Sequence, residues 1–142
     1  MSKAGRILNF TKKLISYTQN LEIFKERRLL VTAPESDEPH IVWHGVELAG
    51  PDLGDNSHSL AFTLYHPFHK EELHIMLNSF WKPLFFELPK PLSGFTWHRV
   101  IDTFLPPGAD IRLPDEAPQI VHEHYRVQAR SSVVLMALPS KQ

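Results

Sequence analysis

Apolar residues near the start of the chain recur with the period of an α-helix. A single stripe is formed by Phe10, Leu14, Tyr17 and Leu21. Their separations of four, three and four positions place them on one helix face. This face is widened on one side by Ile7, Leu8 and Ile15. The sequence therefore predicts an amphipathic helix from about residue 4 to residue 20, with Ser2 as its cap.

From residue 40 onward, apolar positions alternate with polar ones, which is the period of a half-buried β-strand. The alternating runs cover residues 60–65, 73–78, 84–88, 97–103, 125–129 and 133–137. We expect the last two runs to pair around Arg130–Ser131, and Trp97 and Ile101 to share one strand face. Most of the prolines fall between the runs. The pattern predicts a mainly β fold, a Greek-key-like antiparallel β-sandwich of about seven or eight strands after one N-terminal α-helix.

The change of period divides the chain into two parts. Residues 1–30 are expected to form the amphipathic helix and a connector, and residues 31–142 the β-sandwich domain. Between them, residues 33–39 contain two prolines and three acidic residues, which favours a loop. A chain of 142 residues is long enough to enclose a hydrophobic core.

Charge and composition exclude several classes of function. The net charge is −1, but residues 1–30 hold seven basic and two acidic residues, against eight and fourteen in the remainder. The basic residues are not interleaved with aromatic ones, so nucleic-acid binding is not expected. No apolar run approaches the ~18 residues of a membrane span, and the N-terminus does not resemble a secretory signal. With no cysteine in the chain, we expect a cytoplasmic protein.

Several segments carry a resemblance to a known family, in the family's own order. They are the runs at 43–45, 57–59, 78–83, 97–103 and 125–131, which read WHG, SHS, NSFWKP, WHRVIDT and YRVQARS. This order resembles the C-terminal region of isoamylase-type glycogen and starch debranching enzymes of the α-amylase superfamily, glycoside hydrolase family 13. The segment 10–17 is similar to the last helix of that family's catalytic barrel. The resemblance implies a terminal antiparallel β-sandwich.

The resemblance also implies where catalysis does not occur. The family hydrolyses α-1,6 branch linkages by a retaining route, which needs two carboxyl groups about 5 Å apart. In the family these groups sit on a (β/α)₈ barrel of about 250 residues, which this chain is too short to contain. No position here matches the catalytic motifs. We therefore expect no catalytic residue in this chain and no hydrolysis by the chain alone.

The nine histidines raise the question of a metal site. His122 and His124 would point the same way from a strand, as the first two ligands of a cupin do. A carboxylate should then follow within a few residues, yet no Asp or Glu occurs after His124. We expect neither a functional metal nor any other cofactor.

Two side chains are the candidates for carbohydrate contact. Trp81 falls in an expected turn, where an aromatic ring is less readily buried and can stack on the apolar face of a glucose unit. His44 lies at the end of an expected strand. Trp97 shares its strand with apolar residues and is expected to pack in the core.

The helix stripe Phe10, Leu14, Tyr17 and Leu21 is the candidate interface, because an apolar face left uncovered usually marks one. Three arrangements are open: the helix folds back on the sandwich, pairs with its copy in a homodimer, or docks on a separate catalytic-barrel chain. The first hypothesis for function is a structural or accessory role in glycogen or starch metabolism. The alternatives are a module that binds α-glucan weakly and a subunit that completes a split debranching enzyme.

Overall fold

The computed structural model describes residues 2–28, 30–32 and 37–141. One α-helix, α1, spans Lys3–Asn20 and leads into a short 3₁₀ turn at Glu22–Lys25. Seven strands follow: β1 His40–His44, β2 Ser59–His66, β3 Glu71–Asn78, β4 Leu84–Glu87, β5 Phe95–Asp102, β6 His124–Val127 and β7 Ser131–Pro139. The predicted loop at 33–39 lies partly outside the described residues, as does Leu29 in the predicted connector.

The strands form two antiparallel sheets. The larger has the order β1-β2-β3-β7-β5, and the smaller pairs β4 with β6. The chain crosses from the larger sheet to the smaller after β3, returns for β5, and makes the same excursion through β6 before β7. The prediction of a mainly β, antiparallel sandwich with one N-terminal helix is therefore confirmed.

The inner core lies between the two sheets. Met76, Val133 and Leu135 of the larger sheet meet Phe86 and Val127 of the smaller, and all five are fully buried. Trp97 belongs to this core and donates its indole N–H to the carbonyl of Pro89 at 2.7 Å. Side chains alternate between the two faces of a strand, so every second residue points into this core. This alternation accounts for the period-two pattern of apolar residues in the sequence.

The opposite face of the larger sheet carries a second core, formed with α1 and the segment 110–120. Tyr17 of the helix and Ile23 of the 3₁₀ turn pack with Leu73, Met136 and Ile111. Carboxylate oxygens of Glu71 accept the backbone N–H groups of Glu22 and Ile23, which fixes the 3₁₀ turn to the start of β3. The helix is thus held on this face by both apolar and polar contacts.

The predicted beginning of the helix is confirmed. Ser2 has an extended backbone, and its hydroxyl oxygen accepts the N–H of Gly5 at 3.0 Å. This contact satisfies one of the amide donors that a helix start leaves without a partner.

Two expectations about the strands are wrong. Trp97 and Ile101 lie on opposite faces of β5, because a bulge shifts the register between Arg99, opposite Leu135, and Ile101, opposite Val134. The strand β6 does not pair with β7. Both edges of β7 are occupied by β3 and β5, so the chain turns at Arg130 and leaves β6 in the other sheet.

Candidate binding surfaces

His44, a candidate for carbohydrate contact, lies at the inner end of β1 and is only 5% exposed. Its Nδ1 atom accepts the N–H of Ala49 at 2.7 Å, and its ring meets that of His74 edge-on at 5.8 Å between centroids. Burial lowers the pKa of His44, an effect that the negative charge of Glu87 opposes. The ring therefore serves the tight turn after β1 and does not face solvent.

Trp81, the other candidate, is 63% exposed and lies in the turn between β3 and β4. Its ring centroid is 5.5 Å from that of Phe80, which stacks in turn on His58 at 5.3 Å with the planes 18° apart. The ammonium of Lys82 lies 4.4 Å from the Trp81 centroid. The rings of His58, Phe80 and Trp81 form a cluster at one end of the sandwich, which we call the aromatic ledge; the planes of Phe80 and Trp81 are 54° apart.

A shallow groove begins beside the aromatic ledge. One part, of about 400 Å³, is lined by Leu60, Leu77, Ser79 and His58 of the ledge, together with residues of the 52–59 loop. A second part, of about 510 Å³, is lined by Leu77, Ser79, Arg130 and Ser132, among others. Leu77 and Ser79 border both parts, so the two form one surface across β2, β3 and β7. Its floor is apolar and its walls carry serine hydroxyls.

The ledge is fixed to both sheets by Asn78. This side chain is 2% exposed, and its amide donates to the carbonyls of Lys82, Val127 and Gln128 at 3.0, 3.2 and 3.1 Å. Its carbonyl oxygen accepts the N–H of Phe80 at 2.9 Å. Because a buried amide without partners is costly, the turn that carries Phe80 and Trp81 is held in one conformation.

The structure covers most, but not all, of the predicted interface stripe of α1. Phe10, Tyr17 and Leu21 pack on the larger sheet, so the helix folds back on the sandwich. The Tyr17 hydroxyl donates to the carbonyl of Arg112, and burial raises the pKa of Tyr17, with Asp115 and Glu116 adding to the effect. Leu14 stays 39% exposed at the border of an apolar groove of about 90 Å³ between helix and sheet.

The apolar face of α1 extends beyond the part that the sheet covers. We call Ile7, Leu8, Leu14 and Ile15 the helix ridge; their exposed fractions are 59%, 55%, 39% and 47%. The positions i, i+1, i+7 and i+8 lie on one side of a helix, with the small residues Thr11 and Thr18 between them. Helix α1 also contains four basic residues and no acidic one. It is thus a basic helix whose broad apolar face is only partly covered by the sheet.

Other kinds of site have no counterpart in residues 2–28, 30–32 and 37–141. There, no three His, Asp or Glu side chains are grouped closely enough to bind a metal ion. Among the helices of this same part of the chain, none combines the length and the apolar content that crossing a membrane requires.

Comparison with known families agrees with the architecture. The model of a family described as "Isoamylase 1-3, C-terminal" matches residues 42–138. The chain belongs to this isoamylase C-terminal domain family. The match begins within β1 and ends within β7, so it covers the strands of both sheets and leaves α1 outside. The resemblance found in the sequence is confirmed for the sandwich, and the similarity of segment 10–17 to a barrel helix stays a prediction. No curated protein matches the chain significantly.

Membership of the isoamylase C-terminal domain family makes the sandwich an accessory domain of debranching enzymes. Within it, the sequence pointed to Trp81 but not to its neighbours His58 and Phe80. Phe80 could have been found from the sequence, because an aromatic pair at 80–81 shortly after Asn78 indicates a turn with aromatic rings at its tip. The contact with His58 comes from a residue twenty-two positions before Phe80 and is set by strand pairing between β2 and β3.

Proposed function

We propose that this chain is a non-catalytic accessory unit that docks on the catalytic barrel of a debranching enzyme through the helix ridge. The observation that carries the proposal is that the apolar face of α1 is wider than the part that its own sheet covers. The sheet covers one part of this face, and the rest exposes four large aliphatic residues. An apolar helix surface left uncovered in this way usually marks an interface.

Charge favours a different protein over a second copy as the occupant of the ridge. A dimer formed through two α1 helices would pair segments that each carry four basic residues and no acidic one. Like charges at an interface oppose association, whereas an acidic rim around an apolar groove would complement this helix. The partner is therefore a barrel with an acidic-rimmed apolar surface, on a separate chain or elsewhere in a longer polypeptide.

Family membership supports the choice of a debranching barrel. The matching family is described as the C-terminal part of isoamylases, and α1, which ends at Asn20, precedes the matched region, which begins at residue 42. A helix in that position is placed to contact whatever precedes the sandwich. The reaction itself needs two carboxyl groups arranged around one glycosidic bond, which the proposal assigns to the barrel and not to this chain.

The proposal is tested by complementation. A debranching enzyme truncated after its barrel is mixed with the chain, and the release of linear chains from amylopectin is measured. We expect that the chain alone releases none, that the mixture gains activity, and that the two proteins co-elute. Replacing Leu8 and Ile15 by Gln should abolish co-elution, whereas Val121→Gln, at a residue 73% exposed outside the ridge, should not.

Each result bears on the proposal. Activity of the chain alone would refute the non-catalytic role. A homodimer in light scattering that both ridge substitutions disrupt would assign the ridge to a second copy. Co-elution that survives the ridge substitutions would show that another surface docks.

A further inference from the structure

The larger sheet is split at one end, between β3 and β7. Pairing of these two strands stops at Leu73, opposite Met136, and the described residues show none beyond it. The ladders on either side continue, β2 with β3 to Glu71 and β5 with β7 to Pro139. Since alternate residues of an antiparallel strand turn their N–H and C=O groups to each edge, the facing edges offer main-chain groups without ladder partners.

A cleft of about 340 Å³ lies in this split, which we call the sheet cleft. Its walls include apolar side chains from both faces of the sheet. Leu73 and Met136 belong to the outer core, whereas Ala137 belongs to the inner one, and Leu21 after α1 borders the opening. This volume is within the usual range of ligand sites, about 300–1,000 Å³. The sheet cleft is therefore large enough for a side chain of a partner.

Glu72 is the buried acidic residue of the sheet cleft and is only 8% exposed. Its Oε1 atom accepts the N–H of Leu92 at 3.1 Å. Its Oε2 atom has no hydrogen-bond partner among the described residues and is not one of their fully buried unpartnered atoms, so a ligand in the cleft can reach it. The neighbouring Glu71 is different, because both of its oxygens already bind the 3₁₀ turn.

The negative charge of Glu72 has no ion-pair partner within residues 2–28, 30–32 and 37–141. Burial raises the pKa of Glu72, an effect that the N–H of Leu92 and the charge of His40 oppose. The exposed residues His69 and Lys70 also line the cleft, but charges that face water are screened. Because a buried carboxylate without a partner is costly, a cation that enters the cleft is favoured.

We propose that the sheet cleft binds an arginine side chain of a partner protein, with the guanidinium on the carboxylate of Glu72. The methylene groups of arginine pack against apolar walls such as Leu73 and Leu138, while its charged end reaches the acid. The five N–H donors of a guanidinium can satisfy Oε2 together with main-chain carbonyls of the split edges. A lysine ammonium is more strongly hydrated and loses more on entering such a cleft.

The experiment is an NMR titration of the full chain with blocked tripeptides, Ala-X-Ala, in which X is arginine, citrulline, lysine or norleucine. The arginine peptide should shift the amide resonances of Glu72, Leu92 and Leu138, with a dissociation constant of roughly millimolar order. Citrulline has nearly the same shape without the charge, and its peptide should bind about tenfold more weakly.

Glu72→Gln should remove the difference between the arginine and citrulline peptides, because the amide keeps the shape of the carboxylate but not its charge. The matched control is Glu123→Gln, which makes the same change of charge at an exposed residue that does not line the cleft. This control should keep the difference. Loss of the difference in both variants would refute a specific role of Glu72.

The other outcomes are equally decisive. Equal binding of the arginine and citrulline peptides would overturn the ion pair, and equal binding of the lysine peptide would overturn the choice of arginine. Tightest binding of the norleucine peptide would overturn the cationic ligand altogether. Absence of any shift at millimolar peptide, with the protein folded, would refute the site.

Should Glu72→Gln fail to fold, the side-chain carboxyl resonance of Glu72 in the unmodified chain decides the matter. A bound guanidinium favours the charged carboxylate, so the pKa of Glu72 should fall when the arginine peptide is present. An unchanged pKa would refute the pair. None of these measurements involves the helix ridge, so the docking proposed above can fail while the sheet cleft stands, and the reverse.

Discussion

The two faces of the larger sheet are covered in different ways. The inner face meets the smaller sheet, and its central side chains are fully buried. The outer face meets α1 and the segment 110–120, which bury Leu73 and Met136 but leave Ile75 and Val134 only partly covered. The comparison shows that the sandwich is closed without the helix. We therefore expect the inner face to contribute most of the stability of the fold, and the partly covered outer layer to offer contacts to other molecules.

The sharpest way to test this comparison is to remove one large side chain from the inner core. Phe86 in β4 is fully buried, whereas its neighbour Phe85 is 60% exposed on the outside of the same strand. We expect Phe86→Ala to lower the free energy of unfolding by about 3–5 kcal/mol, since it removes buried surface and leaves a cavity. The measurement is denaturant unfolding followed by circular dichroism.

Phe85→Ala is the matched control and should change the free energy of unfolding by less than about 1 kcal/mol. Equal losses in the two variants would mean that the smaller sheet does not seal the core.

Acid should weaken the inner face selectively, because it contains two buried histidines. Burial lowers the pKa of His74 to about 3, with the neighbouring His44 adding to the effect, and burial also lowers that of His44. Thr63 is within 2.9 Å of His74 Nδ1, and Glu87 is the acidic group that faces His44.

An unfolded chain takes up protons at these histidines below a pH of about 6.5, while the folded chain resists until far lower pH. Stability is therefore complete above about 6.5 and declines as the pH falls. His74 alone accounts for a loss of about 3 kcal/mol by pH 4.

Urea unfolding between about pH 7 and pH 4 measures how the free energy of unfolding falls with pH. The substitution His74→Gln should make this fall smaller, whereas His122→Gln, at an exposed residue, should leave it unchanged. Should His74→Gln fail to fold, the imidazole resonances of the unmodified chain decide the matter. A His74 ring that titrates near pH 6.5 would contradict the burial argument.

The smallest expected effect is on the outer layer. Tyr17→Phe keeps the ring but removes the hydrogen bond to the carbonyl of Arg112, which should cost about 1 kcal/mol. Hydrogen exchange should then accelerate in α1 and around residue 112, and not in β3 or β7. Thr18→Ala, at the next and exposed position, is the control. Equal acceleration throughout the sheets would show that helix and sandwich unfold as one unit.

Most of the fold could be predicted because local patterns encode it directly. The helix spacing, the Ser2 cap and the alternating strands depend on neighbours in sequence, and the structure has them where they were expected. The bulge at Val100 could not be predicted from the sequence. An inserted residue moves the side chains after it to the opposite face of the strand, and the run stays equally apolar. The partners of β6 and β7 depend on which edges are free in the assembled sheets.

The candidate sites were harder to predict than the fold. Trp81 could be placed at the surface because it lies in a turn. His44 could not be placed, because its burial depends on the amide of Ala49, which the tight turn brings to its ring. Which part of the broad apolar face of α1 is covered likewise depends on how the helix is rotated on the sheet. The spacing of residues in the sequence determines which of them share a helix face, but not which part of that face packs against the sheet.

Arg130, in a left-handed conformation with φ of 52°, carries the chain from the smaller sheet into the larger one while its N–H holds Phe80. The aromatic turn and the junction of the two sheets are thereby thermodynamically linked, since the same short segment serves both. A molecule that binds this end of the sandwich only in the folded form would raise the melting temperature with the logarithm of its concentration, once that concentration exceeds the dissociation constant. The melting temperature is therefore a label-free assay for molecules that bind here.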